Sequence, residues 1–122
     1  MANQSIHSYK DLKVWQEAMN LAEACYHLTT GFPKAEMYGM TSQIRRSAVS
    51  VPANIAEGYG RDSLGEYIQF LRVAQGSLKE LETHLILTGR VGLTTNTQID
   101  PILKLCDTLG RMLRALIRSL QR

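Results

Sequence analysis

The chemistry open to this sequence lies in its cations, and it is the capture of anions. Lys104, Arg111 and Arg118 recur every seven residues, so they line one side of a helix. Arg114 and Arg122 extend that side by steps of three or four. A guanidinium presents a planar fork of donors that matches phosphate oxygens, and contacts of that kind carry no base information. A row like this also suits a solvated face whose cations complement the negative C-terminal end of a helix dipole. The charge balance favours the anionic partner. Residues 1–97 hold nine lysines and arginines against nine acids, while residues 98–122 hold five against two, so the whole formal +3 sits on the last segment. Arg45 and Arg46 join the candidate set. Neighbours on a helix point about 100° apart, so the two cannot share one role. One is expected to pair with Glu57, Glu80 or Glu82, and the other to face solvent or an anion; which does which stays open.

Catalytic constellations are absent from the pattern. Glu80 and Glu82 are two apart on a helix and point to different sides. No serine has a positioned histidine, and GYGR at 58–61 ends a helix instead of cradling a phosphate. His7, His27 and His84 show no ligand spacing with each other or with Cys25 and Cys106. The expectation is a protein that is not an enzyme, with no metal and no cofactor. The cysteines fall in apolar helical patterns and read as structural thiols in a reducing compartment. No apolar run nears the roughly 20 residues that span a bilayer, and the N-terminus lacks a signal-peptide pattern, so the chain is expected in the cytoplasm.

The elements that carry these residues are four helices in one domain, 1–122, with 1–8 read as a flexible tail. The first is expected over 9–30, capped by Ser8, with Leu12, Trp15, Met19, Ala22 and Tyr26 inward. Thr41 or Ser42 caps the second, whose inward residues are Ile44, Ala48, Val51 and Ile55. Pro52 lies inside it and should bend it, because proline removes a donor and crowds the carbonyl four residues back. Gly58, as a left-handed cap, and Gly60 end it. Ser63 and Glu66 form a capping box for the third helix, where Leu64, Tyr67, Leu71, Ala74, Leu78, Leu81 and Leu85 make a heptad seam closed by Gly89 or Gly92. The fourth starts between Thr95 and Pro101, through Thr97 with Asp100 or through Asp100 with Pro101. Its seam is Ile102, Cys106, Leu109, Leu113, Leu116 and Leu120. Short connections make this an all-α, antiparallel, up-down-up-down four-helix bundle.

Two helices carry more apolar surface than one bundle needs. Val14, Ala18, Leu21, Cys25 and Leu28 form a second stripe on the first, and Leu105, Met112 and Ile117 lie off the seam of the fourth. Burial on more than one side implies self-association. Val14, Leu21, Leu105, Met112 and Ile117 are the expected interface.

The motifs themselves resemble a known family. YGMTSQIRRSAVSVPANIAEGYGR at 38–61, LKVWQEAMNLA at 12–22, GFPKAEMYG at 31–39, SLGEYIQFLRVAQGSLKELETHL at 63–85 and GRML followed by LIRSL near the C-terminus are similar to the bacterial four-helix-bundle proteins first described as products of intervening sequences inside 23S ribosomal RNA genes. Met40 stands where leucine is expected. That family is in turn similar to the accessory proteins of diversity-generating retroelements, which assist a reverse transcriptase. The resemblance implies ring-like homopentamers and supplies no activity. Five copies of a +3 chain carry a formal +15, and repeated weak phosphate contacts add together. The leading expectation is therefore a non-enzymatic, oligomeric protein that binds RNA or DNA with little regard for sequence. The alternative is a protein-interaction adaptor or scaffold, for example an accessory subunit of a reverse transcriptase.

Overall fold

The first described turn is set by Ser8 and Asp11. In the computed structural model, which describes residues 5–122, Ser8 Oγ accepts from the Lys10 amide and Asp11 Oδ2 accepts from the amides of His7 (2.9 Å) and Ser8 (3.1 Å). Those two bonds hold the Asp11 carboxyl below its usual pKa range. Of the tail expected at 1–8, residues 1–4 lie outside the described chain, and His7 and Ser8 are tied to this turn. The turn is a short 3₁₀ helix, Tyr9–Asp11, and extended backbone at Leu12 separates it from α1, Lys13–Thr30. The single helix expected over 9–30 is thus two pieces.

A second 3₁₀ turn, Lys34–Glu36, leads to α2, Met40–Tyr59. Neither Thr41 nor Ser42 caps α2. Gly39 occupies that position without a side chain to offer, and Glu36 Oε1 accepts from the Met40 amide at 3.2 Å instead. α2 is helical across the buried Pro52. Gly58 is not left-handed; among the described residues only Gly92 has positive φ, at 83°. Gly58 is needed for space, since a Cβ there would lie 2.6 Å from Phe70 Cβ.

α3, Leu64–Arg90, starts at Ser63, whose hydroxyl accepts from the Glu66 amide as expected, but the reciprocal half of the box is replaced, because the Glu66 carboxylate accepts from the Ser63 hydroxyl at 3.2 Å. Past Gly92, the buried hydroxyls of Thr88 and Thr94 meet at 2.9 Å and turn the chain toward α4, Asn96–Leu120. Thr95 caps α4, with Gln98 returning a bond to the Thr95 amide. The start lies at the early edge of the expected range, and neither expected cap is used, because this capping box leaves Pro101 inside the helix.

Contacts fix the packing order. Ser50 on α2 meets Ser77 on α3 at 2.7 Å, while Gly58, eight residues on, lies against Tyr67 and Phe70. Gly110 on α4 lies against Leu78, and Gly89 against Ile99. Position rises along one helix as it falls along the next, as antiparallel neighbours require. α4 also packs on α1, which closes the four-helix bundle. Its core takes Ile44, Ala48, Val51 and Ile55 from α2 and Leu71, Ala74, Leu78, Leu81 and Leu85 from α3, as the spacing implies. Leu64, at the start of the expected α3 seam, is exposed.

The faces of α1 and α4 correct the expected interface. Val14, Ala18, Leu21 and Cys25 point into the core together with Ala22, which was expected there, whereas Met19 and Tyr26 are exposed. The two stripes lie about 100° apart, and the bundle buries the one without polar atoms, leaving the tyrosine hydroxyl wet. Ile117 is 5% exposed and belongs to the core with Leu113, while Leu116 and Leu120 sit at its margin. A straight helix drifts about 20° per heptad, which carries the inward position from Leu116 to Ile117. Val14, Leu21 and Ile117 are therefore packing residues of this chain. Leu105 and Met112 are half-buried beside the core and remain open to a partner.

Candidate nucleic-acid interface

α4 places its cations by the same periodicity that buries its apolar residues. Ile99, Ile102, Cys106, Leu109, Leu113 and Ile117 face the core. Lys104, Arg111, Arg114, Arg118 and Arg122 are all exposed on the other side. Arg111 Nε lies 3.2 Å from Asp107 Oδ2, a solvent-exposed i,i+4 pair that contributes little. Lys104, Arg114 and Arg118 make no ion pair among the described residues, so their charge is free to meet an anion.

The fold adds a cation that spacing alone missed. A shallow concavity of about 300 Å³ between α3 and α4 is lined by Gln75, Gly76, Leu78, Lys79, Gly110 and Arg114. Two glycines keep it open, and it brings Lys79 beside Arg114. Arg72, exposed and seven residues before Lys79, continues that side of α3. The seven-residue spacing was visible, but its placement beside α4 depends on the helix register. Lys79 also bonds Glu82 at 3.0 Å, which leaves Arg114 the less compensated of the two.

Arg45 and Arg46 resolve into different roles, and among the described residues neither pairs with a carboxylate. Arg61 takes Glu57 at 2.8 Å, His84 takes Glu80 and Lys79 takes Glu82. Arg45 Nε donates to Thr29 Oγ1 at 2.8 Å, and its guanidinium carbon stands 4.4 Å from the centre of the Tyr26 ring. The buried Thr29 hydroxyl in turn donates to the Cys25 carbonyl at 2.8 Å, so Arg45 ties α2 to α1. Arg46 is exposed. Both line a groove of about 630 Å³ with Tyr26, Met37, Tyr38, Thr41, Ser42, Val49 and Ser50. The groove is remote in the packing order from the α4 ridge, since α2 packs on α1 and α3. The ridge and Arg46 therefore do not form one continuous site.

The remaining reactive groups are inert by burial. Burial pushes the Cys25 thiol up to about 12, and the Cys106 thiol, which also has Cys25 near it, up to about 12. No group of three or more His, Cys, Asp or Glu residues among the described ones is arranged to hold a metal ion.

Residues 10–115 match the family model described as 23S rRNA-intervening sequence protein. The chain belongs to that family. The match takes in Lys104, Arg111 and Arg114 of the ridge and stops short of Arg118 and Arg122. Among solved structures, the chain is similar to a protein of unknown function from the S23 ribosomal protein family of Bacteroides thetaiotaomicron VPI-5482, determined at 1.70 Å resolution. The two are 25% identical with a TM-score of 0.77, over 85% of this chain and 97% of that one. No curated protein matches the chain in sequence. No helix among the described residues is long and apolar enough to cross a membrane.

Proposed function

We propose that this family member is a non-enzymatic, oligomeric nucleic-acid-binding protein of the cytoplasm, which holds RNA or DNA through phosphate contacts on α4. One observation carries the reading. Lys104, Arg111, Arg114, Arg118 and Arg122 all stand exposed opposite the core, and among the described residues one carboxylate, Asp107, offsets one of them. Lys79 widens the same basic face onto α3. Each contact to a phosphate is weak and releases counterions, so affinity comes from repetition, along the helix and across copies of an oligomer. Leu105 and Met112, two of the apolar residues of α4 left half-buried, are the surface through which copies meet.

The test is binding of a labelled RNA and an unrelated DNA at ~50 mM and ~200 mM salt. The expected result is steep salt dependence for both, with little difference between sequences. A second reading, an adaptor such as an accessory subunit of a reverse transcriptase, draws on the exposed Val73, Ile86 and Leu87 of α3. No binding of either nucleic acid at ~50 mM salt overturns the first reading in favour of the second.

A further inference from the structure

The groove between α1 and α2 combines features that the ridge lacks. Tyr38, on the segment leading into α2, is 95% exposed, so its ring packs against almost nothing. Met37, Tyr26 and Val49 beside it are also exposed. An apolar group in water is expected to be covered in use, and its lining says by what. Arg45 and Arg46 are in that lining and no carboxylate is, so the groove is electropositive. Arg45 spends its Nε–H on Thr29 and is steadied over Tyr26, which leaves its two terminal amino groups uncommitted. The hydroxyls of Thr41, Ser42 and Ser50 complete the polar side. The volume of about 630 Å³ is within the range of small-ligand sites. Aromatic faces with cations alongside are what unpaired bases and their phosphates require. Every base has a face to stack, and the backbone charge needs a partner. A duplex keeps its bases stacked on one another and cannot use such a ring.

We propose that the α1–α2 groove is a site for an unpaired nucleotide, with a base stacked on Tyr38 and its phosphate held by Arg45 and Arg46. The inference takes its ligand class from the reading above, but its site is independent of α4.

The experiment compares a labelled thymidine oligonucleotide of about 12 residues with a duplex of equal length, using the full chain, by fluorescence anisotropy. The parent should bind the single strand more tightly. Tyr38→Ala should weaken single-strand binding by roughly 5- to 150-fold, the range for removing one base–aromatic stack, and leave duplex binding unchanged. Tyr38→Phe, which keeps the ring, should restore it. Equal binding of the two polymers by the parent, or Tyr38→Ala binding the single strand like the parent, overturns the groove site and leaves the ridge standing. A smaller oligomer in Tyr38→Ala, by light scattering, also overturns it and identifies the groove as a contact between copies. Loss of duplex binding through changes on α4, with the single-strand preference intact, supports both sites. Absence of all binding sinks both.

Discussion

Gly58 has no room for a side chain, because Tyr67 and Phe70 of α3 pack directly against it. A Cβ would lie 2.6 Å from Phe70 Cβ and 3.2 Å from the Tyr67 backbone oxygen. Gly58→Ala is expected to cost about 1–3 kcal/mol, the usual range for overpacking, seen as a lower urea midpoint at unchanged slope. A midpoint equal to the parent's would show that the helices can part freely at this point. A glycine near a helix end can serve a backbone turn or a close approach. Sequence spacing does not separate the two, which is why Gly58 reads as a left-handed cap until Phe70 is placed. The cysteines were legible because free thiols in apolar patterns are small hydrophobes. With both thiols raised to about 12 from an ordinary 9.0, neither should react with a disulfide reagent at pH 8 until the protein is unfolded, when two react. The sign for stability follows. Between about 9 and about 12 the folded state keeps protons that the unfolded chain releases, so stability is full below that window and falls as pH rises through it. Urea midpoints at pH 8 and pH 10 check this.

Among the elements, α2 and α3 were the most legible, since each has one regular apolar stripe and the core takes it from Ile44 to Ile55 and from Leu71 to Leu85. α1 has two stripes about 100° apart, and periodicity is blind to the choice between them. What decides is chemistry at the tips: Tyr26 and Trp15 carry polar atoms, whereas Val14, Ala18, Leu21 and Cys25 offer none that demands water or a partner. The start of α4 falls at the early edge of the expected range, Thr95 to Pro101, without either expected cap, for a related reason. Proline at a first helical position is a strong signal, but the reciprocal bonds of Thr95 and Gln98 begin the helix earlier and tolerate Pro101 within it. Pro52 is the sharper case. It is buried in mid-helix and lines a groove with Met19, Ala22 and Val49, so α1 packs against whatever course the proline imposes. Pro52→Ala regains one backbone bond, yet a changed course of α2 against α1 should produce a net loss of roughly 1–3 kcal/mol. Thermal unfolding checks it, and a variant at least as stable as the parent would show that Pro52 does not shape the packing.

For the molecule as a whole, the fold was readable and much of the candidate interface was not. The α4 cations could be placed because a helix that buries Ile102, Cys106, Leu109 and Leu113 must turn Lys104, Arg111 and Arg118 outward. Lys79 and Tyr38 could not, because their neighbours come from other parts of the chain. Assembly is the next check at this scale. Replacing Leu105 and Met112 together with lysine should lower the mass measured by light scattering while helical content persists, since long side chains at half-buried positions can reach water. A parent that is monomeric at micromolar concentration contradicts the oligomer.

The most direct measurement compares the parent with the triple variant Arg111→Gln, Arg114→Gln and Arg118→Gln in nucleic-acid binding across a salt series. Glutamine keeps a helix-forming side chain and removes the charge. Every phosphate left without its arginine should reduce the slope of log K against log salt by about 0.7–0.9, so the variant's slope should be shallower by roughly 2–3, with similar weakening for unrelated RNA and DNA sequences. An unchanged slope and affinity in a variant of parental mass would contradict α4 as the contact surface.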